Sequence, residues 1–234
     1  MESRKALCGT LILLFSRFLI SSPVSAGAPT ELVRTTVDKV VTVLQDARLK
    51  SDSRKRERTG QLRQAVYPGF DFTEMAKRSL GSHWRQRTPE EQREFVKIFT
   101  GLLEKSYVDR IEYYNGEKIL YTREVQDGNY ARVDTEIVAR NGDEFSIQYK
   151  LHTSNGGEWK IYDVVVDNIS LIGNYRSQFN RIITTTSFED LIKRLKEKRV
   201  NESGADTSRL DRGVPYYFLL VGGAFESKPY GSAR

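Results

Sequence analysis

The chain has 234 residues, 38% hydrophobic and 29% charged, with a formal net charge of +6. That length is near the upper end for one domain. One cysteine and two histidines exclude a disulfide framework and supply a metal cluster poorly, and the absence of any repeat of about 20–50 residues sets a solenoid aside.

The N-terminus opens with the basic stretch Met1-Glu2-Ser3-Arg4-Lys5. An apolar stretch from Ala6 to Ile20 follows, and then Val24-Ser25-Ala26, with small residues three and one before a cleavage point. This is the pattern of a cleavable secretory signal over residues 1–26, with cleavage expected after Ala26 and an exported mature protein. Arg17 interrupts the apolar stretch. The alternative, an uncleaved anchor, is opposed by the run from Ala6 to Ser16, which is too short to span a bilayer. Cys8 lies in this segment behind Lys5-Ala6-Leu7, which is not a lipobox order; with cleavage after Ala26 the mature chain has no cysteine and is expected to rely on core packing. Removing Glu2, Arg4, Lys5 and Arg17 with the signal lowers the net charge from +6 to +4, a mild surface charge. The basic run from Lys50 to Arg58 reads as a solvated connection between helices, and no nucleic-acid partner is expected.

From Thr30 to about Leu49, Val33, Val37, Val40, Val41 and Leu44 recur at helical spacing, with Thr30 as the expected cap. A shorter helix is expected around Gln61–Tyr67, broken by Pro68-Gly69. Asp71-Phe72-Thr73-Glu74 opens a third helix that Gly81 stops. Thr88-Pro89-Glu90-Glu91 is the clearest helix start, and the helix it opens should reach about Ile111, with Phe95, Val96, Phe99, Leu102, Leu103 and Tyr107 as its apolar stripe.

After Asn115-Gly116 the period changes. Lys118–Val125, Tyr130–Ala139, Glu144–Thr153 and Glu158–Asp167 read as four sequential strands, with hairpin turns at Asn141-Gly142 and Asn155-Gly156-Gly157. Helical signals return at Leu171, Ile172, Tyr175 and Phe179, and again from Ser187 through Leu195. Segregated runs of this kind predict an α+β domain over residues 27–199, with helices on one face of a curved, mainly four-stranded antiparallel meander. Residues 200–234 read as a disordered tail carrying the apolar patch Tyr216-Tyr217-Phe218-Leu219-Leu220-Val221.

Catalytic chemistry is scarce. No Gly-rich phosphate loop and no G-x-S-x-G elbow occurs, and His83 and His152 are far apart in sequence and read as structural. Asp163 invites attention because cone-shaped α+β barrels can use a cavity aspartate as general base. Simple alternation puts Trp159, Ile161, Asp163 and Val165 on one face of its strand, and Tyr162, Val164 and Val166 on the other. An acid in that setting is expected to pair with a basic residue, and Arg176 is a candidate partner for Asp163 or Asp167. The apolar stripe by itself does not separate a packed core from a cavity.

Several segments together carry a resemblance: Phe70 to Trp84, Thr88 to Phe95, Trp159 to Val164, and Ile169-Ser170-Leu171-Ile172-Gly173-Asn174-Tyr175-Arg176-Ser177-Gln178-Phe179. In order and spacing they resemble the MlaC family, the toluene-tolerance auxiliary family of ABC transport systems, over about residues 30–198. The resemblance implies a periplasmic carrier that buries phospholipid acyl chains in a pocket between helices and sheet and leaves the headgroup exposed. It also implies partners, namely an inner-membrane ABC transporter with a lipid-binding ring and an outer-membrane lipoprotein complex, and no cofactor beyond the cargo. Relatives encoded with hopanoid-synthesis genes share the pattern, so the cargo is expected to be a phospholipid or a hopanoid-like lipid. On this reading the lipid-binding residues are Phe99, Leu103 and Tyr107 of the long helix, Ile147, Tyr149, Val164 and Val166 of the sheet, and Leu171 and Tyr175 after it, with ordinary core packing as the alternative for each. Two other readings stand beside the carrier: a small-molecule enzyme using Asp163, and a non-catalytic envelope interaction protein.

Overall fold

Thr88 and Glu91 close a reciprocal cap. Glu91 N–H donates to Thr88 Oγ1 at 3.2 Å, and Thr88 N–H donates to Glu91 Oε2 at 2.8 Å, which satisfies two of the free donors at a helix start. Helix α4 (Pro89–Ile111) follows from it. The computed structural model describes residues 27–201, apart from 112, 113, 115, 141 and 155 and the side chains of 107–111 and 198–201. The signal segment and the tail from 202 onward, including the patch at Tyr216, lie outside the described residues.

The elements run α1 (Ala28–Gln45), α2 (Lys55–Val66), α3 (Phe72–Leu80), α4, β1 (Lys118–Asp127), β2 (Tyr130–Val138), β3 (Glu144–Thr153), β4 (Trp159–Val166), β5 (Ile169–Ser170), α5 (Leu171–Thr185) and α6 (Phe188–Asn201). The strands form one antiparallel sheet in the order β1-β2-β3-β4-β5. The architecture is mixed α+β, as the order of signals predicts.

Local chemistry accounts for most boundaries. Asp71 caps α3 by accepting from Glu74 N–H at 2.8 Å, and Gly81 ends it with a positive φ of 56° that a side chain would resist. Ser170 caps α5 by accepting from Gly173 N–H at 2.8 Å, and Ser187 caps α6 through Asp190 N–H at 3.1 Å.

Four expectations need correction. Helix α1 starts two residues earlier than Thr30 and ends at Gln45; Asp46 breaks it and caps a separate turn, Ala47–Leu49. Thr30 instead ties the helix to the sheet, its N–H donating to Glu124 Oε2 at 2.9 Å. Helix α2 takes in part of the basic run, because buried Arg58 turns inward and donates to the Leu49 carbonyl. A fifth strand, β5, follows a tight turn at Asp167 and Asn168, both at positive φ, and it is too short to carry a periodic signal.

The last correction concerns β4. Lys150 pairs with Asp163 but Leu151 pairs with Ile161, so Tyr162 is an extra, bulged residue. Simple alternation fails there. Ile161, Val164 and Val166 stand opposite Leu151, Tyr149 and Ile147 on one face, while Asp163 and Val165 face the other way with Lys150 and Gln148.

Among the described residues two main apolar cores result, beside a small cluster of Ile147 and Val166. Helices α3 to α6 share the larger one, in which Phe95 and Phe99 stack at 5.7 Å and both meet Phe179 edge-on. The smaller one packs Val33 of α1 on Ala131, Val133, Leu151 and Ile161 of the sheet. Phe99 is fully buried, so Phe99→Ala should lower unfolding free energy by about 3–5 kcal/mol, read as a drop in urea midpoint; a loss under about 1 kcal/mol would show that this cluster is not the core that holds the helices.

Candidate functional site

Between the two cores lies a cavity of about 270 Å³. Its walls come from five directions: Thr36, Val37, Val40, Val41 and Leu44 of α1; Leu62, Arg63 and Val66 of α2; Tyr67, Phe70, Phe72 and Met75 leading through α3; Leu103, Glu104 and Leu171 of α4 and α5; and Tyr114, Ile119, Ile147, Tyr149, Ile161, Val164 and Val166 around the sheet. Among the described residues, Arg63 and Glu104 are the charged ones on this wall. A cavity so lined offers apolar contact almost everywhere and supplies almost no group for acid, base or nucleophile.

The two charges sit at the rim. Arg63 Nε lies 3.0 Å from Glu104 Oε1, and Arg63 Nη2 donates to Glu104 Oε2 at 3.1 Å, a two-point pair. Tyr67 O–H donates to the same carboxylate, and its ring packs on Phe72 with centroids 4.8 Å apart. Tyr67 is 42% exposed, which marks this edge as the side that meets solvent.

Of the nine residues expected to bind lipid, Leu103, Ile147, Tyr149, Val164, Val166 and Leu171 lie on the cavity wall. Phe99 and Tyr175 do not. They face each other edge-on at 5.2 Å within the helical core, together with Phe179, because that side of α4 is turned toward α5 and α6. The side chain of Tyr107 lies outside the described residues.

The residues that sequence reasoning missed are mainly on α1. Val37, Val40, Val41 and Leu44 showed as an apolar stripe, but a stripe reads first as core. In the fold they are only half-buried by protein, which is how a cavity wall differs from a core. Ile161 was hidden by the β4 bulge.

Asp163 is not on the wall. It is 4% exposed, and its carboxylate accepts from Ser170 O–H at 2.7 Å, Ile172 N–H at 3.1 Å and Lys150 Nζ at 3.2 Å. Its basic partner is therefore Lys150 and not Arg176, and its place is the start of α5. His152 Nε2 lies 3.0 Å from Asp71 Oδ2, and His83 Nε2 lies 2.9 Å from Asn180 Oδ1. Among the described residues no group of three or more His, Cys, Asp or Glu could hold a metal ion.

Residues 34–197 match the family described as MlaC protein. The chain belongs to the MlaC family. It is similar to the intermembrane phospholipid transport system binding protein MlaC of Haemophilus influenzae, 22% identical over 192 residues that cover 80% of this chain and 90% of that protein. The toluene tolerance protein ttg2D of Pseudomonas putida is 27% identical over 173 residues, covering 73% of this chain and 79% of that protein. A phospholipid-binding protein from Ralstonia solanacearum, solved in complex with a phospholipid, shares the fold with a TM-score of 0.67 and 26% identity, over 76% of this chain and 99% of that one.

In this MlaC member the cavity and sheet phenols are held neutral. Partial burial and then the hydrogen bond to Glu104 push Tyr67 up to about 12. Burial and then nearby Asp38 push Tyr121 up to about 12, and burial pushes the Tyr149 phenol up as well. A phenol whose folded pKa is raised above the ordinary 10.0 contributes stability that is intact below pH 10 and lost as pH rises through about 12. Thermal melts should therefore fall across that window, and a Tyr67→Phe, Tyr121→Phe double variant should fall less than the wild type; parallel curves would contradict the assignment.

Proposed function

We propose that this protein is a periplasmic, non-catalytic phospholipid carrier, shuttling lipid between the outer membrane and an inner-membrane ABC transporter. The observation that carries the reading is the cavity: an apolar space with one charged rim, in the fold of a protein solved with a phospholipid bound. The names of two relatives support the same role, one a binding protein of an intermembrane phospholipid transport system and the other a toluene tolerance protein. Residues 1–26 would direct export. Among the described residues no helix is long and apolar enough to cross a membrane.

The cavity wall is suited to acyl chains. Leu103, Ile147, Tyr149, Val164, Val166 and Leu171 would contact lipid, and so would the missed residues Val37, Val40, Val41 and Leu44. At about 270 Å³ the space falls just below the usual small-molecule pocket range of about 300–1,000 Å³. A two-chain lipid would therefore need the walls to part. The place for this is the edge where α2 faces α4, joined by Arg63, Tyr67 and Glu104. Partners would be an ABC transporter ring and an outer-membrane lipoprotein complex.

The competing enzyme reading rests on Asp163, whose carboxylate already accepts from three donors away from the cavity. Native mass spectrometry of protein purified from cell envelopes should show a bound two-chain lipid. Val164→Trp, which fills part of the space at the wall, should lower that load, whereas Val125→Trp, on an exposed part of β1, should leave it unchanged. Lipid-free wild-type protein in repeated preparations would contradict the carrier reading.

A further inference from the structure

An apolar wall does not need an ion pair, yet this one has a matched pair of opposite charges at its rim. Arg63 reaches it from α2 and Glu104 from α4, so the two belong to different walls of the same opening. The side chain of Arg63 is 51% exposed and that of Glu104 only 17%. The guanidinium can therefore turn toward a new partner, while the carboxylate stays at the edge of the cavity. In the closed arrangement each charge answers the other, and Tyr67 O–H adds a third point on the carboxylate. Parting the walls to admit two acyl chains separates the pair. Each charge then loses its closest opposite charge, and the ligand can supply a replacement at this solvent-facing edge.

We propose that Arg63 and Glu104 form a headgroup subsite for a zwitterionic phospholipid, a phosphodiester that carries a primary ammonium. The guanidinium fork takes the phosphate oxygens, and the Glu104 carboxylate takes the ammonium. One internal ion pair is exchanged for two with the ligand. A lipid with the same phosphate and an uncharged alcohol head satisfies Arg63 but leaves Glu104 facing a like charge. The rim is wet, so the preference is modest, about two- to fivefold, the range of an exposed ion pair. Modest selectivity also suits a carrier, which must release what it holds. The inference rests on the carrier reading and narrows its cargo class.

The test uses the full mature protein, stripped of lipid and incubated with vesicles of equimolar phosphatidylethanolamine and phosphatidylglycerol, with the extracted cargo quantified by mass spectrometry. Wild-type protein should hold the ethanolamine lipid in about two- to fivefold excess. Glu104→Gln should bring the ratio back to that of the vesicles, and Glu104→Asp, which keeps the charge, should retain the excess. Loaded wild-type protein with an unbiased ratio, or an excess that survives Glu104→Gln, would overturn the subsite while leaving the carrier intact. Wild-type protein that takes up neither lipid would overturn the carrier reading and the subsite with it.

Discussion

A folded chain resists empty space. Close packing at the density of protein interiors would shut an apolar space of about 270 Å³ unless its walls were kept apart. The cavity therefore persists only because its walls are held from behind. Helices α3 to α6 do this on one side, locked by the rings of Phe95, Phe99, Phe179 and Phe188. On the other side Val33 pins the start of α1 to the sheet, and Thr30 ties it to Glu124. The middle and end of α1 are left half-buried over the space between.

The β4 bulge decides what that space is made of. With regular alternation, Asp163 would share a face with Ile161 and stand beside the cavity. One extra residue, Tyr162, turns Val164 and Val166 onto the Ile161 face and sends Asp163 to the other. There the carboxylate meets Ser170, the Ile172 N–H and Lys150, and it joins the end of the sheet to the start of α5. Aiming one acid away from the cavity and keeping the wall apolar are the same structural event.

Much of this was legible in the residues. Asp71 with Glu74 and Thr88 with Glu91 mark helix starts by side-chain chemistry that acts within four residues, and both form as read. The paired faces of β2 and β3 follow from strict alternation of Val133, Thr135 and Ile137 against Phe145, Ile147 and Tyr149. What failed depends on distant contacts. The inward turn of Arg58 depends on the Leu49 carbonyl nine residues away, and β5 exists only because β4 is beside it. Which side of the α4 stripe faces the cavity, Leu103 or Phe99, depends on where α5 and α6 pack, and helical spacing does not reveal it.

A diacyl lipid exposes about 30 methylenes, and at about 0.8 kcal/mol each its bare passage through water costs on the order of 20–25 kcal/mol. A carrier must cover both chains, and among the described residues the cavity walls offer an apolar surface suited to that. The most direct test is photo-crosslinking with a phospholipid bearing a diazirine in one acyl chain, followed by peptide mapping. Adducts should fall on wall residues such as Val40, Val41, Val164 and Val166 and spare Phe95 in the helical core. Adducts confined to the outer surface, such as the exposed end of β1 around Val125, would contradict the account.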